Sequence, residues 1–547
     1  MDLYSATLED LNREDSRLTR EIAKLYDSLA DVRCRMNTFT SVSRLPPEIL
    51  LELFRHALWG SRFSGKYKRT ASSLPQVCRL WRTIALGSPK LWSYIVPCSE
   101  TLSSSMILRA ANQPLRIVWD TDQERPTALD HQKCLDGYTL YTTIAPNTNR
   151  IVELDLTLRR GSMEDVARCI MEDHWECLQR LALSYRGYEN YVLDLHFAGH
   201  PPSDLRHLEF TNVVPKQCEN AGVYRNIRSL RFLLDQAAPA YTTTLPTMSQ
   251  LMDVLRHCGR LEELLLCRFS ARPLSDHGPA LQSSPEGIVD LQRLRVLKIV
   301  DVIDVDISHL LAHLVIPEAT QVLLRPSWRP SSGSRKDGYL SCLPLPNPDV
   351  NVLFLRSVTV LHIHGPAMTR SIPEVIAYKD SYPGANTSSF HVRRYLNSAR
   401  RNPILHHLEL STIFRNTLPQ LGPTFRNSPL CLLKLKLPLS FMRSVTPQEW
   451  DAVFSDLPSL KALRYHRLPE EPSYGESPDY TFLLPLLFIL SRDERRVTPL
   501  LKGIYLQGLG GEIARGLQPY LRRCMEVRMA EVPSFQVFVD RFSLGSS

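Results

Sequence analysis

The feature that most constrains this chain is a short apolar phrase, L-x-x-L-x-L, that returns along most of its length after residue 150. "IVELDL", "LQRLAL", "LRHLEF", "IRSLRF", "LEELLL", "LRVLKI", "VTVLHI", "LHHLEL", "LLKLKL", "LKALRY" and "LKGIYL" all carry it. The middle apolar residues Leu154, Leu181 and Leu208 are 27 positions apart, and Leu408, Leu435 and Leu463 are 27 and 28 apart. One such strand cannot bury its apolar side alone, whereas stacked strands share a continuous core. The pattern predicts an α/β solenoid over residues 149–547, with an ordinary α/β domain of similar strands as the alternative.

A period of about 20 to 29 residues fits leucine-rich repeats, and roughly ten to twelve are expected here. The array is irregular: Leu264 to Leu297 spans 33 positions, Leu323 to Leu361 spans 38 and Leu361 to Leu408 spans 47. The wide gaps hold Ser, Pro, Gly and Arg, which predicts loop insertions or extra helices near 326–350 and 366–403. Residues that alternate with the apolar ones point to the opposite, concave face of each strand. There Glu153, Asp155 and Glu209 make the first rungs acidic, while Arg325, His362, His364, Lys434, Lys436, Arg464 and His466 make the later ones basic. Such a face suits a partner of opposite pattern, or an acidic or phosphorylated segment near Lys434, Lys436 and Arg464.

The first hundred residues read differently. Tyr4, Leu8, Leu11, Leu18, Ile22, Leu25, Leu29, Val32 and Met36 form a heptad seam with Asp15 as its one misfit. Residues 1–38 are therefore expected to be an amphipathic helix, either self-associating as a coiled coil through 4–36 or folded back on the next segment. Residues 42–95 hold "LPPEILLELF", a basic loop at 61–73, and "LPQVCRLWRTIALGSPKLW", which predict two or three short helices with large apolar faces. A unit of about 50 residues hides only around 60% of its surface, so such helices need a partner to cover them. Residues 96–148 are left as a connector.

Residues 42–95 resemble an F-box, in both the "LPPEILLELF" opening and the "VCRLWRTIAL" to "LW" ending, in that order. The combination with a heptad helix and loose repeats resembles a large group of fungal F-box-like proteins with leucine-rich repeats. That resemblance implies docking onto a Skp-type linker and thereby the cullin scaffold of an SCF-type RING ubiquitin ligase, in cytoplasm or nucleus. It makes Leu45, Pro46, Ile49, Leu50, Phe54, Val77, Trp81 and Trp92 candidate docking or domain-core positions, which sequence alone does not divide. The repeats would then capture a target protein of unknown identity. The alternative is a non-catalytic protein-binding scaffold without a ligase role.

No catalytic constellation or cofactor site is expected. "LQGLGGE" is neither a P-loop nor a dinucleotide fingerprint, and no G-x-S-x-G elbow occurs. His362, His364, His407 and Glu409 would hold a metal only if their strands were neighbours, so no metal is expected. The 12 cysteines are scattered without a C-x-x-C pair and read as reduced packing residues. A formal charge of +8 over 547 residues, without aromatic and basic residues interleaved, gives little support for nucleic acid. The most apolar run, Phe482 to Leu490, is broken by Pro485 and falls short of the roughly 18 residues that span a bilayer. An acidic loop at 468–480 carries Ser477 as a candidate phosphorylation site.

Overall fold

A computed structural model of the protein describes residues 2–61, 67–96, 100–120, 143–187, 190–193, 197, 201–215, 221–234, 248–269, 287–327, 338–344, 352–365, 374–379, 390–393, 403–443, 445–468, 479–492, 498–539 and 542–544. The chain separates into two compact units, Met1–Arg180 and Leu181–Ser547.

In the first unit, α1 (Asp2–Thr38) is one continuous helix. Its polar flank is laced by pairs one turn apart, Arg17 to Glu14 at 2.6 Å and Arg17 to Glu21 at 3.0 Å. Its apolar seam stays open, with Leu11 67% and Leu25 70% exposed, so it is not folded back along the next segment. An ion pair of 2.6 Å between Arg79 and Asp31 ties its C-terminal half to α4.

Three helices follow: α2 (Pro47–Ser61), α3 (Tyr67–Ser73) and α4 (Arg79–Leu86). α2 starts on a proline, whose missing amide costs nothing in a first turn, and buries Leu50, Phe54 and Leu58 at spacings of four. The expected basic loop at 61–73 is half helix: Tyr67 and Ala71, one turn apart, are buried, and the Tyr67 hydroxyl donates to the Tyr94 carbonyl at 2.5 Å. Residues 62–66 lie outside the described residues.

The expected connector also carries structure. β1 (Tyr94–Ile95), β2 (Leu115–Asp120) and β3 (Ile151–Leu158) form a parallel ladder in which β2 is central, with α5 (Glu100–Arg109) before β2 and α6 (Arg160–Glu172) after β3. β2 lacks the L-x-x-L-x-L phrase, but its alternate Leu115, Ile117 and Trp119 are buried, which is the period-two signature of a half-buried strand.

The second unit is mixed α/β with a large, mostly parallel sheet. In chain order its strands, the first starting at the division, are β4 (Arg180–Tyr185), β5 (Tyr191–Leu193), β6 (His207–Thr211), β7 (Val213–Pro215), β8 (Ser229–Leu233), β9 (Glu263–Cys267), β10 (Val289–Asp290), β11 (Val296–Val302), β12 (Leu314–Val315), β13 (Gln321–Pro326), β14 (Val360–His364), β15 (Glu374–Tyr378), β16 (Phe390–Arg393), β17 (Leu432–Leu437), β18 (Ala462–Arg467), β19 (Gly503–Gln507), β20 (Gln536–Val539) and β21 (Phe542–Leu544). Between them run α7 (Ala221–Tyr224), α8 (Met248–His257), α9 (Asp304–Ala312), α10 (Pro403–Phe425), α11 (Pro447–Ser455), α12 (Leu484–Leu490) and α13 (Gly511–Glu531).

β6, β8, β9, β11 and β13 lie side by side in parallel, each paired with the next. β14, β17, β18, β19 and β20 do the same. The two runs are joined by an excursion: β16 lies parallel beside β13, and β15 runs antiparallel between β16 and β14. Two short parallel ladders, β5 with β7 and β10 with β12, stand apart from this sheet.

Both expected insertions are therefore partly core. Within 366–403, β15 and β16 are sheet strands with Val375, Ala377, Phe390 and Val392 buried. Within 326–350, Tyr339, Leu340 and Leu343 are buried, and the Tyr339 amide donates to Thr417 Oγ1 on α10 at 2.7 Å. The phrase "LHHLEL" is the one of the eleven that is not a strand; it opens α10. Leucines three apart also fit a helix, and farther along α10 Phe414, Leu418, Leu421 and Phe425 are buried as one helical stripe. Among the described residues no helix is long and apolar enough to cross a membrane.

Candidate functional site

Strand alternation fixes what the sheet presents. On β14, β17 and β18, Leu361, Ile363, Leu433, Leu435, Leu463 and Tyr465 are buried, so the residues between them turn to the other face. The parallel register then sets them in two rows. His362 pairs with Lys434, which pairs with Arg464; His364 pairs with Lys436, which pairs with His466. Six of the seven basic residues expected on this face thus form one three-strand patch. Arg325 belongs to β13, on the far side of β15 and β16.

The patch is electrostatically unbalanced. Among the described residues Lys434, Lys436 and Arg464 make no ion pair with a carboxylate. The Arg464 guanidinium lies over the Tyr505 ring at 4.7 Å, and Tyr505 stacks on Phe538 at 4.8 Å. Burial, and then the neighbouring Arg464, hold the Lys434 ammonium below its ordinary value. Burial, then Lys434, His364 and Arg464, push the His362 imidazole down to about 3. Its Nε2 has no hydrogen-bond partner among the described residues. His364 is also lowered, by burial first, with Glu374 opposing.

Beside the patch on β15 sits a carboxylate that the sequence reading missed. Glu374 accepts from His391 Nε2 and Arg393 Nε, each at 2.9 Å, and lies 3.5 Å from His364 Nδ1. Burial alone would raise its carboxyl, but those hydrogen bonds more than reverse this and hold it at about 2. The acidic rungs are neutralised in the same way. Arg231 reaches Glu263 at 3.1 Å and Glu209 at 3.7 Å, while in the first unit Arg180 reaches Glu153 at 3.4 Å. The expected acidic-to-basic trend survives only at its basic end.

In the first unit the eight candidate docking residues separate by burial. Leu50, Phe54 and Trp92 are core, with the Trp92 indole donating to the Ala85 carbonyl at 2.7 Å. Leu45 and Trp81 are half-buried, and Trp81 packs on Phe54 with ring centres 4.7 Å apart. Pro46, Ile49 and Val77 are exposed, Ile49 by 49% and Val77 by 56%, together with Leu53 on α2 and Leu80 on α4.

His407 and Glu409 lie on α10 and not on a strand next to His362, so the strand adjacency required for a four-residue metal cage is lost. Among the described residues no three His, Cys, Asp or Glu side chains gather as a metal ion requires. Among the described residues Cys169, Cys258, Cys342 and Cys524 are buried thiols in no disulfide, and burial pushes the Cys169 and Cys524 thiols up. Ser477 lies outside the described residues. Compared with protein-family models and with curated proteins, the chain matches none.

Proposed function

We propose that the chain is a non-catalytic substrate-recognition adaptor of an SCF-type cullin-RING ubiquitin ligase. In this reading residues 42–95 dock a Skp-type linker, and the parallel array, an irregular leucine-rich-repeat solenoid, holds a target protein. The observation that carries it is the division of one small helical unit into a filled core and a set of uncovered apolar residues. Leu50, Phe54 and Trp92 complete the core, while Pro46, Ile49, Leu53, Val77 and Leu80 remain for a partner to cover. Its mechanism is proximity: a target lysine held near the ligase's charged ubiquitin carrier reacts as if intramolecularly, so the adaptor supplies no acid, base or nucleophile.

The test is co-purification of the full chain with a Skp-type linker, beside a variant carrying Pro46→Ala, Ile49→Ala and Val77→Ala. Retention by the native chain and loss by a variant with unchanged circular dichroism supports docking. Absence of linker from both sinks the ligase reading. Linker retention without ubiquitin transfer to any bound protein favours a scaffold instead.

A further inference from the structure

We propose that a cavity within the first unit binds a free nucleoside monophosphate, its base against Trp59 and Tyr94 and its phosphate on Arg55, Lys90 and Arg116. The cavity, of about 280 Å³, lies between the C-terminal half of α2, the turn Pro89–Trp92, β1 and the starts of β2 and β3. Leu58 and Leu91, both buried, give it an apolar floor. Among the described residues that line it, three are cations and none is acidic. An apolar hollow rimmed by one sign of charge selects a small anion with an apolar body.

The body is a flat ring. Parallel register sets Tyr94 beside Arg116, so both side chains leave the same face of the ladder, while Ile95 and Ile117 are buried on the other. Trp59 reaches that face from α2, its ring centre 5.4 Å from that of Tyr94 and tilted by 49°. The indole stays 46% exposed while lining the cavity, which leaves it a face for a second ring to stack on. On a helix of about 3.6 residues per turn, Arg55 and Trp59 fall on one flank of the Leu50, Phe54 and Leu58 stripe, and Ile49 and Leu53 on the other. The cavity and the proposed linker surface therefore do not overlap.

The charge selects the anion. Lys90 is exposed and makes no ion pair among the described residues. Arg55 holds Glu52 at 2.7 Å in a pair open to water, and Arg116 holds Glu153 at only 3.8 Å, a carboxylate that Arg180 holds closer, at 3.4 Å. Exposed pairs of this kind contribute little, so both guanidinium groups can turn to a better acceptor. A phosphate monoester carries about −1.5 to −2 at pH 7 with three strong acceptor oxygens, which matches one unpaired ammonium and two loosely engaged guanidinium groups. One carboxylate would leave most of the excess in place, and a triphosphate would overfill it. A nucleic-acid strand needs a track of cations for about four nucleotides or more, whereas this rim closes around one volume.

The test is titration calorimetry of the full chain with AMP and UMP, beside adenosine, inorganic phosphate and a ten-nucleotide oligouridylate. The expected result is one nucleotide per chain, bound at least about tenfold more tightly than adenosine or phosphate alone. A Lys90→Ala, Arg116→Ala double variant and a Trp59→Leu variant are each expected to weaken AMP binding at least about tenfold. If the double variant loses its circular dichroism, Lys90→Ala alone, which breaks no ion pair, decides. A variant with Arg33→Ala and Arg35→Ala, two exposed cations on α1, loses the same charge as the double variant and keeps binding. No binding of either nucleotide, equal affinity for adenosine or phosphate, tighter binding of the oligouridylate, or unchanged binding by the cavity variants overturns the proposal.

Discussion

Neighbouring residues of α2 have opposite duties, and single substitutions separate them. Phe54→Ala removes a buried ring that packs on Trp81 and is expected to destabilise the protein by about 3–5 kcal/mol, whereas Ile49→Ala stays within about 0.5 kcal/mol. Urea midpoints of the two variants check this; comparable losses would place Ile49 in the core. The sheet face carries a pH signature of known sign. His362 is held neutral with a folded value of about 3 against an ordinary 6.5, so its contribution is complete above 6.5 and is lost as pH falls towards 3. Glu374, held at about 2 against 4.5, contributes above 4.5 and fades towards 2. Glu374→Gln is expected to cost about 1–2 kcal/mol at pH 7 and little near pH 2. His362→Gln is expected to flatten the loss of stability between pH 7 and 4.5, and an unchanged slope in that variant would contradict the burial argument.

At the scale of elements, α1 poses the plainest question, since Leu8, Leu11, Leu18, Ile22 and Leu25 lie open on one stripe. A heptad seam of this kind is covered when two helices wind together. Sedimentation equilibrium is expected to give twice the 62.5 kDa chain mass, returning to one chain mass with Leu18→Glu and Leu25→Glu. A native chain that sediments as a monomer excludes the pairing. Elements also show where the sequence was legible. Period-two alternation around Leu361, Leu433 and Leu463 was enough to place His362, Lys434 and Arg464 on one face, because a strand leaves no other choice. Glu374, His391 and Arg393 were hidden, since β15 and β16 carry no repeat phrase and meet only through antiparallel pairing. "LHHLEL" misled because leucines three apart serve a helix as well as a strand. On α2, apolar residues surround the helix, so periodicity gave its existence and not its inward side.

For the molecule as a whole, the division at Arg180 has an optical consequence. Trp59, Trp81, Trp92, Trp119 and Trp175 fall in the first unit, and only Trp328 and Trp450 in the second. Tryptophan emission therefore follows mainly residues 1–180, while far-ultraviolet circular dichroism follows both units. Urea transitions by the two probes are expected to differ in midpoint, as in chains that are not two-state. Coincident curves would mean that the units unfold together. The reversed strand β15 bears on how the sheet is assembled in time. Most pairings on either side of it close short stretches of chain: Lys298 meets Leu323 25 positions on, and Leu433 meets Leu463 30 positions on. Around the excursion the separations jump, to 68 between Leu323 and His391 and 72 between Leu361 and Leu433. Long closures carry the larger entropic cost and slow folding. The strands before β14 and those after β16 can each zip locally, so the join between them closes last, and a chain emerging from synthesis spends its slowest interval with β13 as an open sheet edge.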